Sequence, residues 1–312
     1  MAGKRPFLER LQAGEILLSD GAWGTELQRH GLEPGANPEA WNLTHPDAVK
    51  AIAQRYYQAG ADMGLTNTFN GTRFRQKHYG MADKVKQINE AGARLCKEVA
   101  RAFDGFVAGS MGPTGEFVEP LGLVTADEMY LAFREQANAL KTGGADAAVL
   151  ETIFALDEMQ IAIRAAKDAG LFTMATMFFD AQNDPATGER SKDAAFGFKT
   201  MMGVTPEEAV HGMDEAGADV VGTNCGNGIE NMVRLVRELR PHTKKPILMH
   251  SNAGIPKLVK GNPNPVYEET PALMAGKIQD LIAAGAQIIG GCCGTTPEHI
   301  QAFRREIDRL KK

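Results

Sequence analysis

One pattern recurs along the chain: an amphipathic stretch closes on a small-residue turn and passes at once into a short apolar run. It occurs at Ala59-Gly60-Ala61-Asp62, Gly143-Gly144-Ala145-Asp146, Ala216-Gly217-Ala218-Asp219 and Ala284-Gly285-Ala286-Gln287. A glycine after a helix supplies the left-handed residue that ends it, so each turn predicts a helix running into a strand. Further apolar runs bring the strand candidates to eight: Ile16–Ser19, Met63–Thr66, Gly105–Gly109, Ala147–Leu150, Phe172–Met177, Val220–Thr223, Pro246–His250 and Gln287–Gly290. Amphipathic stretches such as Pro46–Ala59, Lys84–Phe103, Ala126–Thr142, Leu156–Ala169, Pro206–Ala216, Ile229–Arg240 and Pro271–Ala284 separate them. Strands alternating with helices imply parallel βαβ units. Eight units over 312 residues average about 39 residues each, close to the repeat of a (β/α)8 barrel. The expected fold is therefore α/β, a (β/α)8 TIM barrel. A doubly wound open sheet is the alternative, disfavoured by the eightfold count and by the lack of a glycine-rich phosphate loop after the first strand. No linker or low-complexity tract breaks the chain, so residues 1–312 read as one domain. The expected long insertion is Asp180–Lys199, polar and turn-rich, on the side where barrel loops carry function.

Composition narrows the classes of function. Acidic and basic residues number 39 and 34, for a formal net charge of -5, and no Lys/Arg-rich run stands out. Neither a nucleic acid nor an anionic membrane is an expected partner. No apolar run approaches the roughly 20 residues of a membrane span. The start, Met1-Ala2-Gly3-Lys4-Arg5-Pro6, lacks a signal-peptide apolar stretch, so the expected location is cytoplasmic. Four cysteines make no disulfide framework.

Active sites of this fold lie at the C-terminal ends of the strands. Polar groups gather there. The first strand ends Ser19-Asp20-Gly21-Ala22-Trp23-Gly24-Thr25, the second Thr66-Asn67-Thr68-Phe69-Asn70, the fourth Glu151-Thr152. The sixth ends Thr223-Asn224-Cys225-Gly226, the seventh Ser251-Asn252-Ala253-Gly254, the eighth Gly290-Gly291-Cys292-Cys293-Gly294-Thr295. Only one strand separates the sixth from the eighth, so at about 4.8 Å per strand their ends lie roughly 10 Å apart. Cys225, Cys292 and Cys293 can then converge on one ion, provided the eighth strand has ended before Cys292, which its flanking glycines permit. A lone cysteine at a strand end is ordinarily a small buried residue, and Cys96, in a helical stretch, is read that way. Three on one barrel face suit Zn²⁺ and leave a fourth position open, as at a catalytic site.

Three thiolates around Zn²⁺ give a net charge of -1, a poor Lewis acid towards a carbonyl. A substrate thiol can still lose its proton there and stay electron-rich, which favours attack by sulfur on an electrophilic carbon. Asp20 and Glu151 stand at the same rim. Each could be structural, Asp20 as a helix N-cap. Together they could hold an ammonium, while the amides of Gly21-Ala22-Trp23-Gly24 receive a carboxylate. Ammonium, carboxylate and thiol describe an amino-acid thiol. His250 reads as a satisfied core histidine.

These stretches resemble the homocysteine S-methyltransferase family, the zinc-dependent homocysteine-binding barrels. The likeness runs from Asp20-Gly21-Ala22-Trp23-Gly24-Thr25 to Gly290-Gly291-Cys292-Cys293-Gly294-Thr295-Thr296-Pro297 and includes Trp41-Asn42-Leu43-Thr44-His45-Pro46, Thr66-Asn67-Thr68-Phe69, Gly112-Pro113-Thr114-Gly115, Asn224-Cys225-Gly226 and Asn252-Ala253-Gly254. It implies methyl transfer to homocysteine to give methionine. Cys225, Cys292 and Cys293 would hold Zn²⁺, and Asp20 and Glu151 would meet the substrate ammonium. Gly21, Ala22, Trp23, Asn67 and Asn252 would complete the substrate pocket, with Asn252 beside the open zinc position. Members of the family take methyl from betaine, S-methylmethionine or a methylcorrinoid. The chain has no Asp-x-His-x-x-Gly corrinoid motif, so a methylcorrinoid would sit on a separate protein. The stretches Lys199-Thr200-Met201-Met202-Gly203 and Cys225-Gly226-Asn227-Gly228 look like members assigned to betaine, so the resemblance implies betaine or a related methylammonium as donor. Trp23 stands where many relatives have methionine, and its indole could stack on a quaternary ammonium or equally narrow the thiol pocket. Trp41 is a further candidate on the donor side. Homo-oligomer formation is compatible with the resemblance.

Overall fold

The computed structural model describes residues 5–182, 197–226, 228–260 and 265–311. Eight parallel strands run in the expected order: β1 (Leu17–Leu18), β2 (Met63–Leu65), β3 (Phe106–Met111), β4 (Ala147–Ile153), β5 (Phe172–Met177), β6 (Val220–Cys225), β7 (Ile247–Ser251) and β8 (Ala286–Gly291). Each pairs with its sequence neighbours. β1 joins β8 through Leu17–Ile288 and Leu18–Ile289, and a parallel bridge from Ser19 to Met63 joins β1 to β2, so the sheet meets itself as a (β/α)8 barrel. The open-sheet alternative is excluded by that closure.

The pleat sorts the core into two layers. Leu17, Met63, Leu65, Ala108, Val149, Met174, Val220, Leu248 and Ile288 fill the interior. Their immediate neighbours, including Leu18, Val107, Ala148, Leu150, Val221 and Ile289, point outward against the helices. A short helix, Phe7–Gln12, covers the amino-terminal end, where Phe7 stacks on Phe106 with ring centroids 4.4 Å apart. The expected helices form with boundaries shifted by a residue or two. The one over Pro271–Ala284 is broken into Pro271–Ala275 and Ile278–Ala284. Helices Trp23–Arg29 and Pro297–Leu310 complete the first and last units. The ends of the expected insertion pair as an antiparallel ribbon, Asp180–Ala181 with Phe198–Lys199, and its centre, 183–196, lies outside the described residues. No described helix is long and apolar enough to cross a membrane.

The recurrent turn has a structural purpose beyond helix closure. In three of its four copies the aspartate bridges to the preceding strand of its sheet. Asp62 Oδ2 accepts from Leu18 N at 3.0 Å, Asp146 Oδ2 from Val107 N at 2.9 Å and Asp219 Oδ2 from Thr173 N at 2.8 Å. Each aspartate's own amide donates back to the same residue's carbonyl, at 2.7, 2.8 and 2.8 Å. Each also pairs with a cation: Asp62 with Arg10 and Arg304, Asp146 with Lys97, Asp219 with Lys167. The bottom of the barrel is thus fastened at strand starts and leaves the other end free for chemistry. Asp62 is 3% exposed, and removing it takes the shared buried carboxylate from two partly buried guanidinium groups, leaving Arg10 with Glu15 and Arg304 with Asp308. Asp62→Ala should cost about 3 kcal/mol of stability, against about 1–2 kcal/mol for Asp146→Ala. Chemical denaturation of the two variants checks this, and equal losses would refute the ranking.

Candidate active site

The ends of β6, β7 and β8 are sewn together by main-chain hydrogen bonds. Cys292 N donates to Ser251 O at 2.7 Å, Asn252 N to Cys225 O at 3.1 Å and Ala253 N to Cys293 O at 3.0 Å. β8 ends at Gly291, so Cys292 and Cys293 lie in the following turn, as convergence requires. The three Sγ atoms all lie within 4.8 Å of one another, with Cys225 and Cys292 at 3.2 Å. Ligands at Zn–S distances near 2.3 Å stand about 3.8 Å apart in a tetrahedron, which this spacing brackets. Hydrogen bonds from Cys225 and Cys292, and then from Tyr267, hold the Cys293 thiol well below its usual range. Hydrogen bonding to the other two sulfurs, and then burial, pushes Cys292 up. Three half-buried thiols side by side cannot all ionise without a cation between them. Asn252 supplies a second sign of fit. Its Nδ2 donates to Gly226 O at 3.0 Å, while its buried Oδ1 has no hydrogen-bond partner among the described residues.

Asn224 fixes the geometry around Cys225. Its Oδ1 accepts from Thr152 N at 2.7 Å and from Thr176 Oγ1 at 2.8 Å, and its Nδ2 donates to Thr152 Oγ1 at 2.7 Å and approaches Cys225 Sγ at 3.5 Å. Thr152 and Cys225 both take left-handed backbone conformations, φ 63° and 65°, which side chains bearing a Cβ seldom adopt. One fully buried amide therefore clamps two strained residues from the ends of β4 and β6, across the intervening β5.

The expected carboxylates are both buried at the mouth. Glu151 accepts from Ser110 Oγ at 2.5 Å. Burial raises its pKa to about 7, the Ser110 bond working against this and the charges of Asp20 and Cys293 adding to it. Asp20 is likewise raised by burial to about 7, opposed by donations from Leu65 N at 2.8 Å and Trp23 Nε1 at 3.0 Å. Asp20 caps no helix, because Ala22 holds that position. Of the expected carboxylate-binding amides, Ala22 N is already engaged by Thr295 Oγ1 at 3.2 Å. Gly21 fits closely over Tyr56 and Thr295, where a Cβ would lie 2.7 Å from the Thr295 hydroxyl.

A cavity of about 370 Å³ opens over these groups, within the range of small-molecule sites. Gly21, Ala22, Trp23, Asn67, Glu151 and the three cysteines line it; Asp20 and Asn252, expected in the substrate pocket, do not. Asn67 also braces the loop above, donating to Pro38 O at 2.8 Å and Asn42 Oδ1 at 3.1 Å. Tyr267 is a lining residue that no sequence signal marked. Its ring packs where a Cβ on Gly294 would stand, and its hydroxyl meets Cys293. Trp41 stacks on His45, centroids 4.4 Å apart, and does not line the cavity. Cys96 is buried in its helix beside Tyr57, its thiol raised by burial to about 12. His250 is buried and held neutral by burial, its pKa lowered to about 4, but its Nε2 has no partner among the described residues, so it is a core residue and not a satisfied one. A second ligand-type group, Glu207, His211 and His242, lies among the outer helices.

Comparison with known proteins follows the same outline. The family described as homocysteine S-methyltransferase matches residues 17–307. The methionine synthases of Mycobacterium leprae and Mycobacterium tuberculosis are 32% and 30% identical to the chain over 95% of its length. The chain spans about a quarter of the length of these curated relatives, 25% in each case. The metallated form of the homocysteine methyltransferase MmuM from Escherichia coli superposes with a TM-score of 0.74 at 22% identity, covering 96% of this chain and 99% of that one. At that identity the likeness concerns the fold.

Because Asn224 positions Cys225 without being a cysteine itself, Asn224→Ala should weaken metal retention about 10–100-fold. Chelator competition on the folded variant measures this; unchanged retention would remove Asn224 from the site.

Proposed function

The chain belongs to the homocysteine S-methyltransferase family, and we propose that it is a methyltransferase with homocysteine as acceptor, a zinc enzyme drawing methyl from betaine or a related methylammonium. The convergence of Cys225, Cys292 and Cys293 at one end of the barrel carries this reading. Zn²⁺ held by the three sulfurs, with Asn252 Oδ1 in reach of the same strand ends, would keep an acceptor thiol anionic and nucleophilic at neutral pH.

The chain's own residues do the orienting. Glu151, backed by Asp20, faces the substrate ammonium. The first-turn amides of helix Trp23–Arg29, which have no intrahelical partners, face the carboxylate. The indole of Trp23, tethered to Asp20, offers a face to the methylammonium. In the reaction a new S–CH3 bond forms as the C–N bond breaks, and the electron pair of that bond leaves with a neutral amine. No protein group has to accept a proton in this displacement. Rate is gained by nucleophile activation and by alignment of sulfur, methyl and leaving group.

A second reading, methyl delivery by a separate methylcorrinoid protein, has its own support. Apolar side chains stand exposed on three segments that follow strand ends: Leu121 and Leu123 after β3, Met201 after β5, and Leu258 and Val259 after β7. An apolar rim of this kind suits a docking protein better than a free small molecule. The curated relatives, of which this chain covers a quarter, are named methionine synthase.

A donor screen with homocysteine distinguishes the two readings: betaine, dimethylglycine, S-methylmethionine, methylcobalamin and methyltetrahydrofolate, with methionine measured with and without a chelator. The expected result is chelator-sensitive methionine from a methylammonium donor; activity with methylcobalamin alone would favour the second reading. Cys292→Ala should lose metal and turnover together, and survival of both would overturn the zinc assignment. Both carboxylates have pKa values of about 7, raised above the free carboxyl range. Below that pH they are protonated and cannot pair with an ammonium, so homocysteine affinity should fall as pH drops from 7 to 5. Calorimetric titration across that range tests it, and a flat profile would exclude ionised carboxylates from binding.

A further inference from the structure

Glu39 is a buried carboxylate that the roles assigned above do not use. It is 1% exposed and lines the same cavity as Trp23, Phe69 and the cysteines. Its Oε1 is occupied, accepting from Asn70 N at 2.9 Å and Asn70 Nδ2 at 3.3 Å. Its Oε2 is buried and has no hydrogen-bond partner among the described residues. The neighbouring cation, Arg75, acts on Glu39 only through space and turns its Nε to Asn70 Oδ1 at 3.1 Å. A buried carboxylate oxygen left bare is costly unless a donor or a cation meets it.

From this geometry we infer that Glu39 Oε2 is the anionic contact of a subsite for the onium centre of the methyl donor, closed by the aromatic side chains of Trp23 and Phe69. The inference rests on the proposed cationic donor and adds to it the residue that reads the charge. A quaternary ammonium or a sulfonium fits, since each spreads a positive charge over methyl groups that pack against aromatic faces. Glu39 is a binding residue, and its effect on rate has a definite sign. The donor's charge disappears as its methyl departs, so Glu39 stabilises the bound donor more than the transition state. Such a contact lowers KM without raising kcat.

The test compares two ligands of one shape, choline and 3,3-dimethylbutan-1-ol, which differ by a charged nitrogen in place of carbon. Calorimetry on the zinc-loaded full chain without homocysteine gives their affinities. The wild type should prefer choline by about tenfold, and Glu39→Gln, which keeps the oxygen that Asn70 requires, should reduce the preference to about twofold or less. Equal binding of the two ligands by the wild type overturns the subsite without need of a variant. With a donor that turns over, Glu39→Gln should raise donor KM about tenfold while kcat holds or rises. Methionine formed from an onium donor with KM unmoved by the variant overturns the subsite and leaves the donor reading intact. A choline preference lost in Glu39→Gln, with no onium donor giving methionine, overturns the donor reading and leaves the subsite standing.

Discussion

Three sulfur atoms confined within 4.8 Å are an arrangement that the folded chain has to enforce. Left to themselves, buried thiolates repel, and neutral thiols gain little from one another. Here the enforcing elements are main-chain bonds. The end of β7 accepts from Cys292 and donates to the carbonyls of Cys225 and Cys293, so the middle strand end holds both flanks. Asn224 adds the lateral constraint, holding Thr152 and Cys225 in conformations neither would choose alone. The cavity, the two raised carboxylates and the tethered indole of Trp23 take their positions around this centre.

The barrel divides its labour between its ends. At the strand starts, aspartates of the recurrent turns bridge neighbouring strands through paired backbone bonds and are neutralised by lysine or arginine. At the strand ends, carboxylates lie buried without any such cation. Glu151 is met by a hydroxyl, Asp20 by an amide and an indole, and one oxygen of Glu39 by nothing among the described residues. Acidic groups at the bottom are saturated by the protein; those at the top are left short of positive charge. That asymmetry suits a pocket whose substrates carry cations.

Much of this was legible in the sequence because it is periodic or local. Helix-closing glycines and alternating apolar runs specify βαβ units wherever they occur, and eight of them leave few closed arrangements. The cysteines were legible because fold topology alone puts the ends of β6 and β8 two strands apart. Tyr267, Glu39 and Asn224 were not singled out. Tyr267 reaches Cys293 from a loop with no pattern of its own, and Glu39 faces the cavity only because its loop is pinned by Asn67 and Asn70. Asp20 resembled a helix cap because aspartate before a helix usually is one, yet a turn of two residues carried the helix start past it to Ala22.

The order of elements, the closure into a barrel and the gathering of three cysteines at one end are written in the chain itself, since each follows from local spacing and from the rule that parallel units wind one way. Which carboxylates are buried, which of their oxygens stay bare and which amide holds a strained strand end were decided by the tertiary structure. Those properties depend on desolvation and on contacts between segments far apart in the chain, such as Asn224 with Thr152 across 72 positions, and no local pattern encodes them.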